Sequence, residues 1–201
     1  VQIYSPKADD IIKSTGITDG YAIIWGTSDI ELLKCLALNT SLGITAFERD
    51  PSRVTFLRDY FDKLGITANQ LSFLCCKDKT PMLPKYLSSL TIIDDMSYLN
   101  NNDDVTLNGI YESTRPYGGK IWINVSGKKQ KKLLSTLGKL DLYGIELKDG
   151  NAGAIITRMG SLEGSSDWTH NYGNISNTIK SDDDIVKAPL GILWFGGNSN
   201  L

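Results

Sequence analysis

The chain has 201 residues, with 21 Lys and Arg against 23 Asp and Glu, for a formal net charge of −2. That length suits one ordinary domain with a short appendage, and 41% hydrophobic with 22% charged residues excludes a disordered or fibrous chain. There is neither the basic excess of a nucleic-acid binder nor an acidic tail, and the longest apolar run, Tyr21 to Trp25, is too short for a membrane-spanning helix.

Hydrophobic periodicity divides residues 8–160 into alternating helices and strands. Ala8 to Thr15 reads as a short helix closed by Gly16, and Tyr21 to Trp25 as a buried strand followed by a Gly26-Thr27-Ser28 turn. Asp29 to Asn39 is a helix with Ile30, Leu33, Cys35, Leu36 and Leu38 inward, and Gly43 to Phe47 a second strand. Asp50 suits an N-cap and Pro51 the first helical position of a helix that ends at Leu64, before Gly65. Strands follow at Leu71–Cys75 and Leu90–Ile93, then a helix over Asp103–Thr114 and a strand over Lys120–Asn124. Lys128 to Leu140 is basic and amphipathic, and with no second basic cluster beside it reads as a solvated helix face. Cys35, Cys75 and Cys76 are odd in number and two are adjacent, a pattern of buried fillers rather than of a zinc site.

Strands alternating with helices at this spacing predict a doubly wound α/β sheet of the Rossmann type, with parallel strands and helices on both faces. The end breaks the alternation. Tyr143–Leu147 and Ala154–Arg158 are strands joined by a Gly-rich link over 149–153, too short for a crossover helix, so the seventh strand is expected antiparallel. In such a sheet ligands bind beyond the carboxyl ends of the strands. Those ends carry Gly26-Thr27-Ser28-Asp29, then Glu48, then Lys77-Asp78, then Asp94-Asp95. An acid after the second strand is placed to accept hydrogen bonds from both hydroxyls of a ribose.

From residue 8 to about 160 the order of parts resembles the class I S-adenosylmethionine-dependent methyltransferases. The reversed last strand and the segment Tyr111-Glu-Ser-Thr-Arg-Pro-Tyr-Gly-Gly-Lys-Ile-Trp-Ile123 carry the resemblance; that segment is similar to the family's helix, Arg-Pro/Gly-Gly turn and fifth strand. The resemblance implies S-adenosylmethionine as cofactor. Its methionine portion would lie against Gly26, Ser28 and Ile30, its ribose on Glu48 and its adenine near Asp78, with Asp94 completing the cofactor set. Only Gly26 keeps the family's Gly-x-Gly-x-Gly pattern; a β-branched Ile30 would cost free energy if φ there had to be positive. Ile24 and Trp25 stand before the turn, where the family often has an acid, and the indole is either a wall of the pocket or core.

Past Met159 the texture changes to Gly, Ser, Asn and Asp. Asp167-Trp-Thr-His-Asn-Tyr-Gly-Asn-Ile-Ser-Asn-Thr178 is similar to the opening of a quinoprotein-type (pyrroloquinoline quinone) β-propeller, with Ile192–Phe195 as a first blade strand. The expected organisation is therefore a methyltransferase-like domain over 1–160, then a linker and truncated propeller start over 161–201. A downstream propeller of the same polypeptide is the implied partner, and the whole resembles the N-terminal part of a bacterial protein of that kind. His170 has no Cys or second His beside it for a metal, and no Gly-x-Ser-x-Gly elbow exists for a triad. The chain opens at Val1 without Met or a signal-peptide pattern, as in a processed or excised piece.

Three functions compete. An active methyltransferase would draw a general base from Asp94 or Asp95, but Asp94-Asp-Met-Ser-Tyr98 lacks the Asn/Asp-Pro-Pro-Tyr pattern used on planar nitrogens, so no acceptor is specified. A degenerate, non-catalytic methyltransferase fold would serve as a scaffold or docking module beside the propeller. A nicotinamide-dependent oxidoreductase shares the acid after the second strand, but lacks Gly-x-Gly-x-x-Gly and the reversed strand. Compartment follows function: cytoplasmic for an active methyltransferase, periplasmic or exported for a quinoprotein-type chain.

Overall fold

Alternate residues of the first strand enter two different cores, and this period of two organises the protein. In β1 (Asp19–Trp25), Ala22 and Ile24 join one buried cluster while Ile23 and Trp25 join the other. The computed structural model describes residues 4–76, 83–99, 103–137, 142–149, 153–179 and 181–185. Around β1 stand β2 (Ser41–Glu48), β3 (Leu71–Cys75), β4 (Leu90–Ile93), β5 (Gly119–Ile123), β6 (Ile145–Asp149) and β7 (Ala154–Arg158). They form one seven-stranded sheet in the order β3-β2-β1-β4-β5-β7-β6. β1 pairs in parallel with β2 and β4, and β7 runs antiparallel to both β5 and β6. The reversed terminal strand is therefore present, and Rossmann-like α/β is the observed class.

One face of the sheet is covered by α1 (Pro6–Thr15), α2 (Ile30–Asn39) and α3 (Pro51–Lys63), which contribute Ile11, Leu33, Leu36, Leu57 and Phe61 to the first core. The other is covered by α4 (Asp103–Ser113), α5 (Gly127–Leu137) and a short 3₁₀ helix η1 (Met96–Leu99), through Tyr98, Ile110, Tyr111 and Leu137. Local chemistry sets the starts of the first three helices. Ser5, Asp29 and Asp50 are N-caps that accept hydrogen bonds from the amides of Ala8, Leu32 and Ser52, and Pro6 and Pro51 open two of the helices. In α3 the buried residues Val54, Leu57 and Phe61 recur at helical spacing. None of the helices among the described residues is long and apolar enough to cross a membrane.

Contacts divide the chain into two units, Val1–Gly160 and Ser161–Leu201. The described part of the second is a run of turns, with its two ends joined by hydrogen bonds from the Asp184 amide to the Gly164 carbonyl and from the Ser166 amide to Asp183 Oδ2. The Asn174 side-chain oxygen accepts from the amides of Ser176 and Thr178, and its amide nitrogen donates to Thr178 Oγ1 at 2.7 Å. Trp168 is exposed, and the strand expected at Ile192–Phe195 lies outside the described residues.

The cysteine expectation needs correction at one position. Cys35 and Cys76 are buried but Cys75 is exposed, at the end of the edge strand β3.

Candidate functional site

The strand order reverses between β1 and β4, and a cleft lies at their carboxyl ends. Its volume is about 500 Å³, and Gly26, Thr27, Ser28, Glu48, Arg53, Asp94, Asp95, Met96 and Tyr98 line it. Hydrogen bonds along the main chain hold the mouth rigid. The Gly26 amide donates to the Phe47 carbonyl at 3.1 Å, and the amides of Asp94 and Asp95 both donate to the Trp25 carbonyl. Gly26 has φ of +97°, and a Cβ there would lie 2.7 Å from the Asp95 Cβ, so only glycine fits the turn. Ser28 precedes α2 and Ile30 is its first residue, and neither adopts positive φ. Ser28 and Ile30 thus carry no left-handed backbone strain: right-handed geometry at Ile30 is available to any residue. Trp25 is fully buried, stacked on Phe47 with ring centroids 4.6 Å apart, and is core rather than a wall of the cleft.

The carboxylates expected to meet a ligand are already engaged. Glu48 Oε1 accepts the amides of Arg49 at 2.6 Å and Asp50 at 3.1 Å. Its Oε2 accepts the Thr27 hydroxyl and faces Arg53 Nε at 3.6 Å. The Arg53 guanidinium also donates from Nε to Thr27 Oγ1 at 3.1 Å and from Nη2 to the Thr27 carbonyl. Asp94, with a side chain only 2% exposed, pairs with Lys7 and accepts from Ser28 Oγ at 2.9 Å and Asn124 Nδ2 at 3.1 Å. Lys7 also lies 3.8 Å from Asp29 and 5.7 Å from the centre of the Trp122 ring. Asp95 is exposed at the rim and accepts from the Ser97 amide and hydroxyl, both at 2.8 Å, capping η1. Asp94 and Asp95, the two candidates for a general base, thus both accept hydrogen bonds from within the chain.

On the β2 side, Arg49 stacks over Tyr98 at 4.1 Å and bonds Ser97 through both Nη atoms, tying β2 to η1. The Tyr98 hydroxyl donates to the Phe47 carbonyl at 3.2 Å. Burial pushes the Tyr98 phenol above its usual range, with Cys76 and Glu48 adding to the shift and Arg49 opposing it. Burial likewise raises the Cys76 thiol.

Gly26, Ser28, Glu48 and Asp94 are therefore brought to one cleft, while Ile30 turns its side chain against the first core and Asp78 lies outside the described residues. Thr27, Arg53, Lys7 and Asn124 were not foreseen. For Arg53 a signal existed: it is the third residue of a helix opened by Pro51, and the first turn of that helix follows directly from the Glu48 strand end.

This architecture, with its cleft at the switch point and the last strand reversed, is the Rossmann-like fold of the S-adenosylmethionine-dependent methyltransferases. No protein-family model and no curated protein sequence matches the chain. Among solved structures, a Methanococcus maripaludis protein assigned as an S-adenosyl-L-methionine-dependent methyltransferase is similar with TM-score 0.65 and 15% identity, over 78% of this chain and 85% of that one. An Aquifex aeolicus S-adenosylmethionine-dependent methyltransferase gives 0.58 at 12% identity, over 78% and 89% of the two chains. The [4+2]-cyclase SpnF gives 0.58 at 16% identity, over 71% and 57%. At these identities the likeness establishes the fold, and the cyclase shows that the fold alone does not fix the reaction.

Proposed function

We propose that the cleft binds an adenosine ligand of the S-adenosylmethionine type, making this a methyltransferase-like domain whose acceptor no motif specifies. The observation that carries the reading is the meeting of Gly26, Ser28, Glu48 and Asp94 around one cleft at the switch point of a methyltransferase-type sheet. The residues fit the ligand at two points. The turn at Gly26 admits no Cβ and so keeps the main chain bare at the cleft, and Glu48 stands at the end of β2, the position from which an acid holds a ribose diol.

Charge favours this ligand over a dinucleotide. Asp29 caps α2 and its carboxylate accepts from the Leu32 amide, so the helix start below the turn already carries an anion and would repel a pyrophosphate. S-adenosylmethionine, with net positive charge, meets no such conflict among Asp29, Glu48, Asp94 and Asp95. When bound it would supply an electrophilic methyl on a sulfonium; the chain would hold the turn, accept the diol and keep water from the β1 and β4 ends.

A second reading is favoured by the engagement of Glu48 and Asp94: a scaffold whose cleft carboxylates serve only internal partners, set beside a downstream propeller of the same polypeptide. Calorimetric titration with S-adenosylmethionine, S-adenosylhomocysteine and NAD separates the two. Binding of the adenosine ligands but not NAD, weakened more than about tenfold by Glu48→Ala, supports the ligand reading. No heat from any of them at millimolar concentration supports the scaffold, and equal affinity in the Ala variant removes Glu48 from the site.

A further inference from the structure

A carboxylate has about four lone-pair directions, and in Glu48 three accept hydrogen bonds while the Arg53 guanidinium stands beside the fourth. Two are taken by the amides of Arg49 and Asp50 and one by the Thr27 hydroxyl, and the fourth faces Arg53 Nε at 3.6 Å. A ribose diol can therefore bring both hydroxyls to Glu48 only by moving the Thr27 hydroxyl and the Arg53 side chain aside. The amides cannot leave, since Asp50 is the N-cap of α3 and the backbone there is fixed between β2 and the helix. The Thr27 hydroxyl and the Arg53 side chain can rotate away. Arg53 has an outlet, because about a third of its side chain is exposed at the cleft.

We infer that Arg53 is an internal ligand of the cleft, and that adenosine binding is an exchange in which the diol takes the Glu48 oxygen now held by Thr27 and Arg53. The inference rests on the adenosine reading and adds to it the residue that sets affinity. Arg53 is suited to the role, since its rigid fork grips Thr27 twice and faces Glu48 with charge at the same time. Each of those contacts must be given up before the ligand gains its own, so the free protein resists binding by the strength of the latch. The guanidinium also offsets the negative charge of the cleft. Its removal is therefore expected to favour the sulfonium ligand, net charge +1, more than the neutral thioether product.

The test is calorimetry on the 201-residue chain with S-adenosylhomocysteine and with S-adenosylmethionine, for wild type, Arg53→Gln, Arg53→Lys, Glu48→Gln and the Glu48→Gln/Arg53→Gln pair. Arg53→Gln is expected to bind S-adenosylhomocysteine about tenfold tighter than wild type and S-adenosylmethionine tighter still. Arg53→Lys, which keeps the charge without the fork, should fall between, and the gain should vanish when Glu48 is Gln. If wild type binds and a folded Arg53→Gln binds equally or more weakly, the exchange is overturned while the adenosine reading stands. If no variant binds at millimolar ligand, the adenosine reading fails and the exchange with it. Should Arg53→Gln not fold, the wild-type Arg53 Nε–H resonance decides. Release to a solvent-like position on saturation supports the exchange, and an unmoved resonance in a saturated sample overturns it.

Discussion

Gly26 and Asp95 meet at the carboxyl ends of β1 and β4, and that approach is what shapes the cleft. With φ at +97° and space for no side chain, Gly26→Ala adds a left-handed alanine and a clash with Asp95 together. Urea denaturation should show a loss of about 2 kcal/mol or more. The Lys7–Asp94 pair gives an asymmetric prediction. Asp94 is buried to 2% side-chain exposure, whereas Lys7 retains 24% and can reach water. Lys7→Met strands a buried carboxylate with only Ser28 and Asn124 as donors, at a cost of about 2–4 kcal/mol. Asp94→Asn leaves a cation that can hydrate and should cost about 1 kcal/mol. Equal losses in parallel melts would show that the pair does not carry the burial asymmetry. Gly26, Glu48 and Asp94 were legible because each ends a strand whose pattern is plain. Lys7, Arg53 and Asn124 were not, since α1, α3 and the end of β5 reach the cleft only through packing that no local pattern encodes.

At the scale of elements, the limits of β3, β4 and β7 agree with the pattern to the residue, because each is a short apolar run bounded by polar residues. β2 extends beyond its expected Gly43–Phe47, since pairing with β1 begins at Ser41 and with β3 reaches Glu48. The 3₁₀ helix η1 was not read at all. Asp95 makes it by accepting the Ser97 amide, a four-residue event too short for periodicity to mark. The edge strand β3 presents a row of main-chain groups that could template association. Arg58 blunts it by donating from Nε at 3.2 Å, and from Nη2, to the Phe73 carbonyl beside a cavity of about 510 Å³. Removing this cover with Arg58→Ala is expected to cost about 1 kcal/mol and to produce concentration-dependent association in sedimentation velocity. A variant that stays in the wild-type association state up to high concentration would show that the edge needs no cover.

For the molecule as a whole, both cores lie within residues 8–156, one on each face of a sheet that β7 closes by pairing with β5 and β6 at once. The reversed strand was legible from a link too short for a helix, and the doubly wound layout from alternation; the division of helices into α1–α3 on one face and α4, α5 on the other was not, because hydrophobic pattern does not say which face. The second core holds the protein's perturbed phenols. Tyr98 and Tyr111 are each raised by burial, Tyr98 further by Cys76 and Glu48 against Arg49, and Tyr111 is opposed by Arg158. In each the folded state holds the proton more tightly than the unfolded chain, which releases it near pH 10. Their contribution to stability is therefore whole below that pH and is lost as pH rises above it, at up to about 1.4 kcal/mol per pH unit for each group. Cys76, raised from 9.0, starts the decline one unit earlier. Urea melts at pH 8, 9, 10 and 11 should show a plateau and then a steepening fall. Tyr98→Phe removes one titrating group along with the hydrogen bond to the Phe47 carbonyl, so it should be about 1 kcal/mol less stable at pH 8 and fall less steeply above pH 10. A Tyr98→Phe curve parallel to wild type across the alkaline range would mean that Tyr98 ionises as readily in the fold as outside it, and that the second core is open to water at η1.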